Sequence, residues 1–312
     1  MTWNPLTPPD QRGRTIVVTG ATAGIGYFAA EQLAGAGAHV VLASRSPAKL
    51  AAARRAIRDQ VDGAEVDTVT LDLAAPDSVA DAIRSLSALP RLDGLLLNGG
   101  AMQRDTKPTA WGVPTILGTH VVANVALVAG LLPALIAGGD AGRPSRIVHA
   151  SSGFVDRAGL DVSEVQAIPR RWVAAYTKAK TVTEVFAFEL ERRLRTADAP
   201  VVSLVSRPGV GVDARTPERV GVRDASTPRQ RNPFTPWAQG KDSAAWSAVR
   251  AMTDPAAQGG ELYAPAGAFR GAPVRRDPNP STSTPDAVLA QSVWDQLEAL
   301  AGSRIAIESR TR

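Results

Sequence analysis

The chain has 312 residues, of which 44% are hydrophobic and 21% are charged, and its formal net charge is +5. These values are ordinary for a globular protein with a sizeable core. It has no cysteine, which excludes disulfides, thiolate zinc sites and cysteine nucleophiles. The arginines are scattered, so we expect a solvated basic surface and no nucleic-acid partner. Three dispersed histidines predict no metal site.

Two expectations concern membranes and location. Residues 1–12 are polar and proline-rich, without the apolar core of a signal peptide. The most apolar stretch, 121–137, contains Asn124 and Pro133 and is predicted to be a buried helix rather than a membrane span. Together with the lack of cysteine, this predicts a cytoplasmic protein with no membrane partner.

Strand and helix patterns alternate along the chain. Aliphatic and β-branched runs predict strands at 15–19, 39–43, 66–71, 94–97, 146–150, 201–205 and 260–263. Helices are predicted at 27–36, 47–60, 78–89, 116–137, around Tyr176 as far as about Arg195, 242–252 and 288–300. This alternation predicts an α/β fold, a doubly wound and mostly parallel sheet with helices on both faces.

No repeat or linker divides the chain, which predicts a single domain at 13–302 between tails at 1–12 and 303–312. Residues 210–239 are rich in Pro, Arg, Thr and Gly and show little periodicity, which is typical of a flexible substrate lid. Its arginines either attract an anionic substrate or are merely solvated: Arg215, Arg219, Arg223, Arg229 and Arg231. Residues 270–285 are predicted to form another loop.

A glycine-rich turn, Thr19 to Gly26, follows the first strand. Gly20, Gly24 and Gly26 let the backbone turn tightly and approach a pyrophosphate, which the N-terminus of the next helix would stabilise. The succession of strand, turn and helix favours a dinucleotide site, although the spacing differs from Gly-x-Gly-x-x-Gly. Taken alone, the run could be an ordinary strand-to-helix turn.

The ends of the next two strands concern the identity of the cofactor. The second strand runs into Ser44 and Arg45, with no carboxylate to accept from a ribose 2′-hydroxyl. An arginine suits a 2′-phosphate, so NADPH is predicted, unless Arg45 is only a solvated cation. Asp72, after the third strand, could accept from the adenine amino group or cap a helix.

Tyr176 and Lys180 stand four residues apart on a predicted helix and therefore share one face. A phenol has an ordinary pKa of about 10 and is a sluggish acid or base at neutral pH. A neighbouring ammonium favours the phenolate and is expected to lower that pKa toward the working range. Together with the glycine turn, the pair indicates carbonyl–alcohol redox chemistry.

These motifs resemble those of the short-chain dehydrogenase/reductase family, in its single-domain form. The resemblance covers about Gly13 to Gly302 and is closest to the retinol-dehydrogenase-like and protochlorophyllide-reductase-like branch. It rests on Thr19 to Gly26, Arg45, Asp72-Leu73, Asn98-Gly99-Gly100, Ser151-Ser152, Tyr176 with Lys180, and Arg207-Pro208-Gly209. The branch is indicated by the long separation of Ser152 from Tyr176, by Thr109 to Gly112, and by Gly260 to Gly267 with Trp294.

The resemblance implies a Rossmann-type fold and roles for particular residues. Ser152, the second serine of its pair, would orient the substrate oxygen, and Tyr176 would exchange the proton. Lys180 would lower the tyrosine pKa and hold the nicotinamide ribose. The implied cofactor site comprises Gly20, Thr22, Ala23, Gly24, Ile25, Gly26, Ser44, Arg45, Asp72, Leu73, Asn98, Gly99, Gly100, Tyr176, Lys180, Pro208 and Gly209.

Three positions depart from the family pattern. Gly99 adds backbone freedom beside the cofactor. The family's asparagine that holds the proton-relay water falls on His120, with Asn124 one turn further along the same face. Either could carry the role; His120 could itself relay protons, or be a buried histidine without a catalytic part. Asp213 stands where the family has a threonine that contacts the carboxamide.

The function expected is that of an NADPH-dependent oxidoreductase acting on a carbonyl or alcohol. Phe154, Ile168 and Trp172 would line its pocket, which indicates an apolar and bulky substrate. The alternatives are a dinucleotide-binding sensor or scaffold, and a non-redox epimerase or lyase that retains its cofactor. Pairing through the long helix and the Tyr176 helix, as in the family, would give a homodimer or homotetramer.

Overall fold

The computed structural model describes residues 3–100, 108–157, 159, 161–224, 227 and 233–307. In this part of the chain one sheet contains β1 Thr15–Thr19, β2 His39–Ser44, β3 Val66–Thr70, β4 Gly94–Leu97, β5 Ser145–Ala150, β6 Val201–Ser206, β7 Leu262–Pro265 and β8 Pro273–Arg276. Their order across the sheet is β3-β2-β1-β4-β5-β6-β7-β8. Strands β1 to β7 are parallel and β8 is antiparallel to β7, which confirms the predicted fold.

The strand order reverses direction between β1 and β4, which are hydrogen-bonded neighbours. One connection leads from β1 toward β2 and β3, and the chain then returns to β4 on the other side of β1. At such a point the loops after the strands diverge and leave a crevice beyond their carboxyl ends. The glycine turn after β1 lies at this crevice.

Helices cover both faces of the sheet. They are α1 Gly24–Gly35, α2 Pro47–Gln60, α3 Pro76–Ser87, α4 Thr115–Leu117, α5 Ala123–Gly138, α6 Trp172–Thr196, α7 Lys241–Ala244, α8 Trp246–Thr253, α9 Pro280–Ser283 and α10 Ala287–Ala301. The core on one face gathers side chains of α3, α5, α6 and α10, and the core on the other gathers those of α1, α2 and α8. Fully buried strand residues such as Val17 and Val18 point alternately into the two cores, as expected for a parallel sheet covered on both faces.

The predicted helix at 116–137 is interrupted. A π-helical turn, Gly118–Val122, joins α4 to α5 and contains His120. Such turns insert one residue into a helix and are frequent at functional sites. By length and composition alone, Thr115–Gly138 could cross a membrane. Leu127 and Leu131 are nevertheless fully buried in the core, which agrees with a buried helix.

The prediction of a loop at 270–285 is wrong. Strand β8 and helix α9 lie within it. The strand pairs through Pro265↔Pro273 at one end and is the last strand of the sheet. Because an edge strand tolerates proline and charged side chains, its sequence lacks the apolar alternation of a central strand.

The predicted lid and tails have contacts with the rest of the domain. Arg219 forms a salt bridge with Glu31 of α1 at 2.7 Å, and Val212 donates to the carbonyl of Gln239. Trp3 is buried, its indole nitrogen donating to Thr253 Oγ1, and Ile305 is buried at the other end. The described parts of these three segments are therefore packed on the domain, while flexibility at 210–239 stays a prediction.

Candidate active site

The turn after β1 is packed against the end of β4. Gly20 has φ +67°, and a Cβ there would lie 2.8 Å from Gly99 Cα. A Cβ on Gly26 would lie 2.5 Å from both the Gly20 carbonyl oxygen and Asn98 Nδ2. Thr19 links the two segments through two hydrogen bonds. Its hydroxyl accepts from Gly99 N at 2.8 Å, and its backbone carbonyl accepts from Asn98 Nδ2 at 3.3 Å. Side chains would fill the space that the glycines keep open.

Helix α1 begins directly behind this turn. Its N-cap residue Ala23 offers no side-chain hydrogen bond to the first turn. The first backbone N–H groups of the helix are therefore available to an anion, which the helix dipole also favours. Glycine at 20, 24 and 26 with this uncapped helix fits a dinucleotide pyrophosphate.

A cavity of about 570 Å³ opens beside the turn. Its wall includes seven of the predicted cofactor residues, namely Gly20, Ser44, Arg45, Asp72, Leu73, Gly99 and Gly100. Thr22 and Ser44 are hydrogen-bonded at 3.1 Å, and the Arg45 side chain is exposed at the cavity. Asp72 lines the cavity and accepts from Ala74 N within the turn before α3. The N-cap of α3 is Ala75, so Asp72 is not the helix cap given as the alternative, and its adenine contact stays a prediction. Ile25 packs in the core behind the turn.

Ser152, Tyr176 and Lys180 meet at the carboxyl end of β5. The Tyr176 hydroxyl is hydrogen-bonded to Ser152. The Lys180 ammonium lies 5.8 Å from the centroid of the tyrosine ring and donates to the Ala150 carbonyl at 2.7 Å. Ser151 points away, donating to Glu184 at 2.6 Å. The structure thus brings together the three predicted residues, with Ser152 rather than Ser151 at the tyrosine.

The predicted lowering of the Tyr176 pKa is not the net effect in this structure. Burial raises the pKa of Tyr176, and the hydrogen bond from Ser152 opposes this only in part. Burial also lowers the pKa of Lys180 to about 8, against the attraction of Glu184. Both groups lose water on folding, and this desolvation outweighs the lysine's charge, on which the prediction was based. At neutral pH Tyr176 is therefore a neutral phenol, able to donate a proton.

His120 takes the position next to the tyrosine. The two rings are 5.6 Å apart, edge to face, and Gly100 packs against the imidazole with no room for a Cβ. Asn124 instead donates to the backbone carbonyl of His120 at 2.8 Å. Of the two candidates for the proton-relay position, the histidine is the one whose side chain contacts Tyr176.

A second cavity, of about 590 Å³, lies on the other side of Ser152. Phe154, Val210 and Phe269 form part of its wall, and the Arg157 guanidinium lies 6.0 Å and 5.7 Å from the two phenylalanine rings. Phe154 lines this cavity as predicted. Ile168 does not, because it packs against the core. Trp172 is also absent from the cavity wall, and begins α6.

Two other predicted residues border this second cavity or support it. Gly209 lines it with φ +68°, and Pro208 accepts a hydrogen bond from Gln239.

Asp213 is ion-paired with Lys241 at 2.6 Å and with Arg223 at 3.4 Å, and its contact with a carboxamide stays a prediction. Of the arginines proposed to attract a substrate, Arg215 donates to a backbone carbonyl and Arg219 and Arg223 pair with acids; Arg229 and Arg231 lie outside the described residues.

Sequence reasoning missed several residues at the site. Lys241 lies against the glycine turn, its Cδ 3.6 Å from where a Cβ of Gly24 would be. Phe269 closes the second cavity. Glu184 forms a buried ion pair with Arg207, a residue of the Arg207-Pro208-Gly209 motif whose partner was not predicted. These residues are distant in sequence from the groups they contact, so their spacing gave no signal. Glu184 is the exception, because it follows Lys180 by one helical turn and could have been predicted to lie on the same helix face.

The family comparison agrees with this geometry. Residues 14–205 match the family model described as short chain dehydrogenase. Mouse polyprenol dehydrogenase is 34% identical over 263 residues, which are 82% of this chain and 76% of that protein. Human retinol dehydrogenase 13 is 32% identical over 201 residues, which are 64% of this chain and 59% of that protein.

Solved structures show the same architecture. An uncharacterized protein from Mycobacterium paratuberculosis superposes with a TM-score of 0.76 at 26% identity, over 98% of this chain and 100% of that one. A metagenomic short-chain oxidoreductase in complex with NADP superposes with a TM-score of 0.56 at 26% identity, over 79% of this chain and 94% of that one. The chain therefore belongs to the short-chain dehydrogenase family, in its retinol-dehydrogenase-like branch.

Proposed function

We propose that the chain is an NADPH-dependent oxidoreductase that interconverts a carbonyl compound and its alcohol. The observation that carries the proposal is the meeting of Ser152, Tyr176 and Lys180 beside the glycine-lined crevice. Membership of the family shows that the chain is a dehydrogenase/reductase. The preference for NADPH and the class of substrate are what we propose in addition.

The glycine turn and the N-terminus of α1 would hold the pyrophosphate, and Ser44 and Arg45 the 2′-phosphate. When bound, the nicotinamide supplies or accepts the hydride. The Tyr176 hydroxyl donates its proton to the substrate oxygen, which Ser152 orients by a hydrogen bond. Lys180 places a positive charge where the tyrosinate would form, and His120, in contact with the tyrosine ring, would pass on a replacement proton.

The second cavity is the proposed substrate pocket. Ser152 and Phe154 line it, and the Phe154 ring lies 6.4 Å from that of Tyr176. Its two phenylalanines support an apolar and bulky substrate, and so do the names of the polyprenol and retinol dehydrogenases that the chain resembles. The same wall also carries charged side chains, such as Arg157 and Arg276. The test is a panel of aromatic, polyene and short aliphatic carbonyl compounds supplied with NADPH. Consumption of NADPH with a large apolar member supports the proposal; bound NADPH that no member oxidises favours a non-redox function.

Arg45→Ala is expected to weaken NADPH binding about 10- to 100-fold and to leave NADH binding unchanged. The reason is the loss of a charge-assisted contact to the 2′-phosphate, which is worth about 1.5–3 kcal/mol. The measurement is the dissociation constant of each nucleotide from cofactor fluorescence. Arg55→Ala, which removes the same charge from exposed α2, is the control. An equal loss for both nucleotides would refute a role in 2′-phosphate recognition.

The two directions of the reaction are expected to depend on pH with opposite signs. Burial raises the pKa of Tyr176, so the proton donor needed for carbonyl reduction is present at neutral pH. The reduction rate should fall as pH rises through that pKa, whereas alcohol oxidation, which needs the phenolate, should rise. Initial rates for one carbonyl–alcohol pair from neutral to alkaline pH give the measurement. A reduction rate that rises over this range would contradict the assignment of the proton donor.

We also propose a cytoplasmic location. For the predicted homodimer or homotetramer, we propose that α10 contributes to the contact between subunits. This helix packs on both α5 and α6, the helices through which pairing was predicted, and Trp294 stacks on Phe186 at 5.3 Å. Pairing through that face would have to use α10 or displace it.

A further inference from the structure

A buried ionic cluster lies directly behind the proposed catalytic residues. Glu184 is fully buried on α6, and Arg207, at the end of β6, is 5% exposed. The guanidinium donates to both carboxylate oxygens, from Nε to Oε1 at 2.8 Å and from Nη2 to Oε2 at 2.9 Å. A two-bonded pair of this kind is fixed in orientation as well as strong. The cost of burying two charges makes such a pair poor evidence for added stability, so another role deserves consideration.

The carboxylate of Glu184 is the meeting point of four elements. It accepts from Ser151, next to the catalytic serine, at 2.6 Å and from Thr282 of α9 at 3.1 Å. Arg207 extends the cluster, because its Nη1 donates to Asp156 at 2.6 Å, in the 3₁₀ turn Gly153–Arg157 that borders the proposed substrate cavity. The contacts of Glu184 therefore join α6 to the residue before Ser152, to Arg207 after β6 and to α9.

Lys180 stands on the same face of α6, one turn before Glu184. Its ammonium is buried and donates to the Ala150 carbonyl at 2.7 Å, immediately before Ser151. Lys180 and Glu184 thus hydrogen-bond to two consecutive residues at the end of β5, Ala150 and Ser151. The charged or titratable groups around the lysine are Tyr176 and Glu184 on α6, His149 on β5, His120 across the tyrosine, and Arg207 with Asp156 behind the glutamate.

We propose that Glu184, oriented by Arg207, is a positioning residue that anchors the Ala150–Ser152 strand end, and with it the Ala150 carbonyl that holds Lys180, in the catalytic arrangement. Burial alone favours a neutral lysine, and Glu184 is the charge that opposes this. His149 adds no competing positive charge at neutral pH, because burial lowers its pKa to about 3. The consequence for catalysis rests on the proposed function: a charged Lys180 is what would stabilise the tyrosinate.

The lysine content of the chain makes a direct test practical. There are five lysines, namely Lys49, Lys107, Lys178, Lys180 and Lys241. The protein can be labelled with ¹³C,¹⁵N-lysine and its side-chain resonances titrated by NMR, with Lys180→Arg assigning the signal. Neither cofactor nor substrate is needed, so the outcome is independent of whether the proposed reaction occurs.

Glu184→Gln is expected to lower the measured pKa of Lys180 by up to about one unit, since it removes the carboxylate whose attraction opposes the effect of burial. Glu191→Gln is the matched control: Glu191 is a buried glutamate on the same helix, paired with Arg195, and two turns further from the lysine. In that variant the pKa of Lys180 should stay at its wild-type value.

A second variant covers the case in which Glu184→Gln does not fold. Glu184→Gln combined with Arg207→Met leaves neither partner as an unpaired charge, and the Lys180 pKa should again fall below the wild-type value. The same fall in the Glu191 control, or a Lys180 pKa unchanged in the folded Glu184 variant, would overturn the proposal. If the pKa falls as expected and NADPH still fails to bind the wild type, the anchor stands and the proposed function fails.

Discussion

Tyr176→Phe is expected to lower the turnover of a carbonyl substrate about 10²- to 10⁴-fold, the usual contribution of a positioned acid. The substitution removes the proton donor and its hydrogen bond with Ser152, while the ring keeps its contacts with His120 and Phe154. NADPH binding should change little, because no phosphate contact is lost. The measurement is kcat, with the dissociation constant of NADPH determined in parallel.

Tyr263→Phe is the matched control. Tyr263 is a buried tyrosine on β7, and its hydroxyl donates to Glu261 at 2.6 Å. Its loss should cost about 0.5–1.5 kcal/mol of the free energy of unfolding, as for a typical hydrogen bond, with kcat unchanged. If Tyr176→Phe and Tyr263→Phe had the same kcat, Tyr176 would not be the acid.

Gly26→Ala is expected to weaken NADPH binding about 5- to 150-fold and to destabilise the domain. The added methyl group would lie 2.5 Å from the Gly20 carbonyl and from Asn98 Nδ2, so the turn and the end of β4 would have to separate. Overpacking of this kind typically costs about 1–3 kcal/mol. Calorimetric titration gives the affinity, and thermal unfolding gives the stability.

Gly35→Ala, in the same helix, is the control for a glycine that has no such neighbour. There a Cβ would meet only Val61 Cγ2, at 3.9 Å. Alanine has the higher helix propensity, so this variant should be neutral or slightly more stable and should bind NADPH normally. Normal binding by Gly26→Ala as well would mean that the turn is not the pyrophosphate site.

The parts of the site that the sequence predicted are those set by local spacing. Three glycines in one turn, and a tyrosine and a lysine four residues apart on a helix, have relative positions that are set by the local backbone alone. Their spacing in the sequence is therefore enough to predict them. The central strands were equally predictable, since each is a short apolar run between turns. Strand β8 was not, because an edge strand with Pro273 and two arginines lacks that pattern.

What the sequence could not give was contact between distant residues and the effect of burial. Glu184 and Arg207 meet only because α6 packs behind β6. The π-helical turn that brings His120 to the tyrosine leaves no mark in the residue pattern. The direction of the Tyr176 pKa was missed for the same reason, since desolvation depends on the folded surroundings.

Calorimetric titration of the purified wild-type chain with NADPH, and separately with NADH, tests the central claim most directly. Saturable one-to-one binding of NADPH, clearly tighter than that of NADH, is the result expected from the glycine turn and Arg45. Binding of neither nucleotide would contradict the assignment of the crevice as a cofactor site, and with it the proposed oxidoreductase activity.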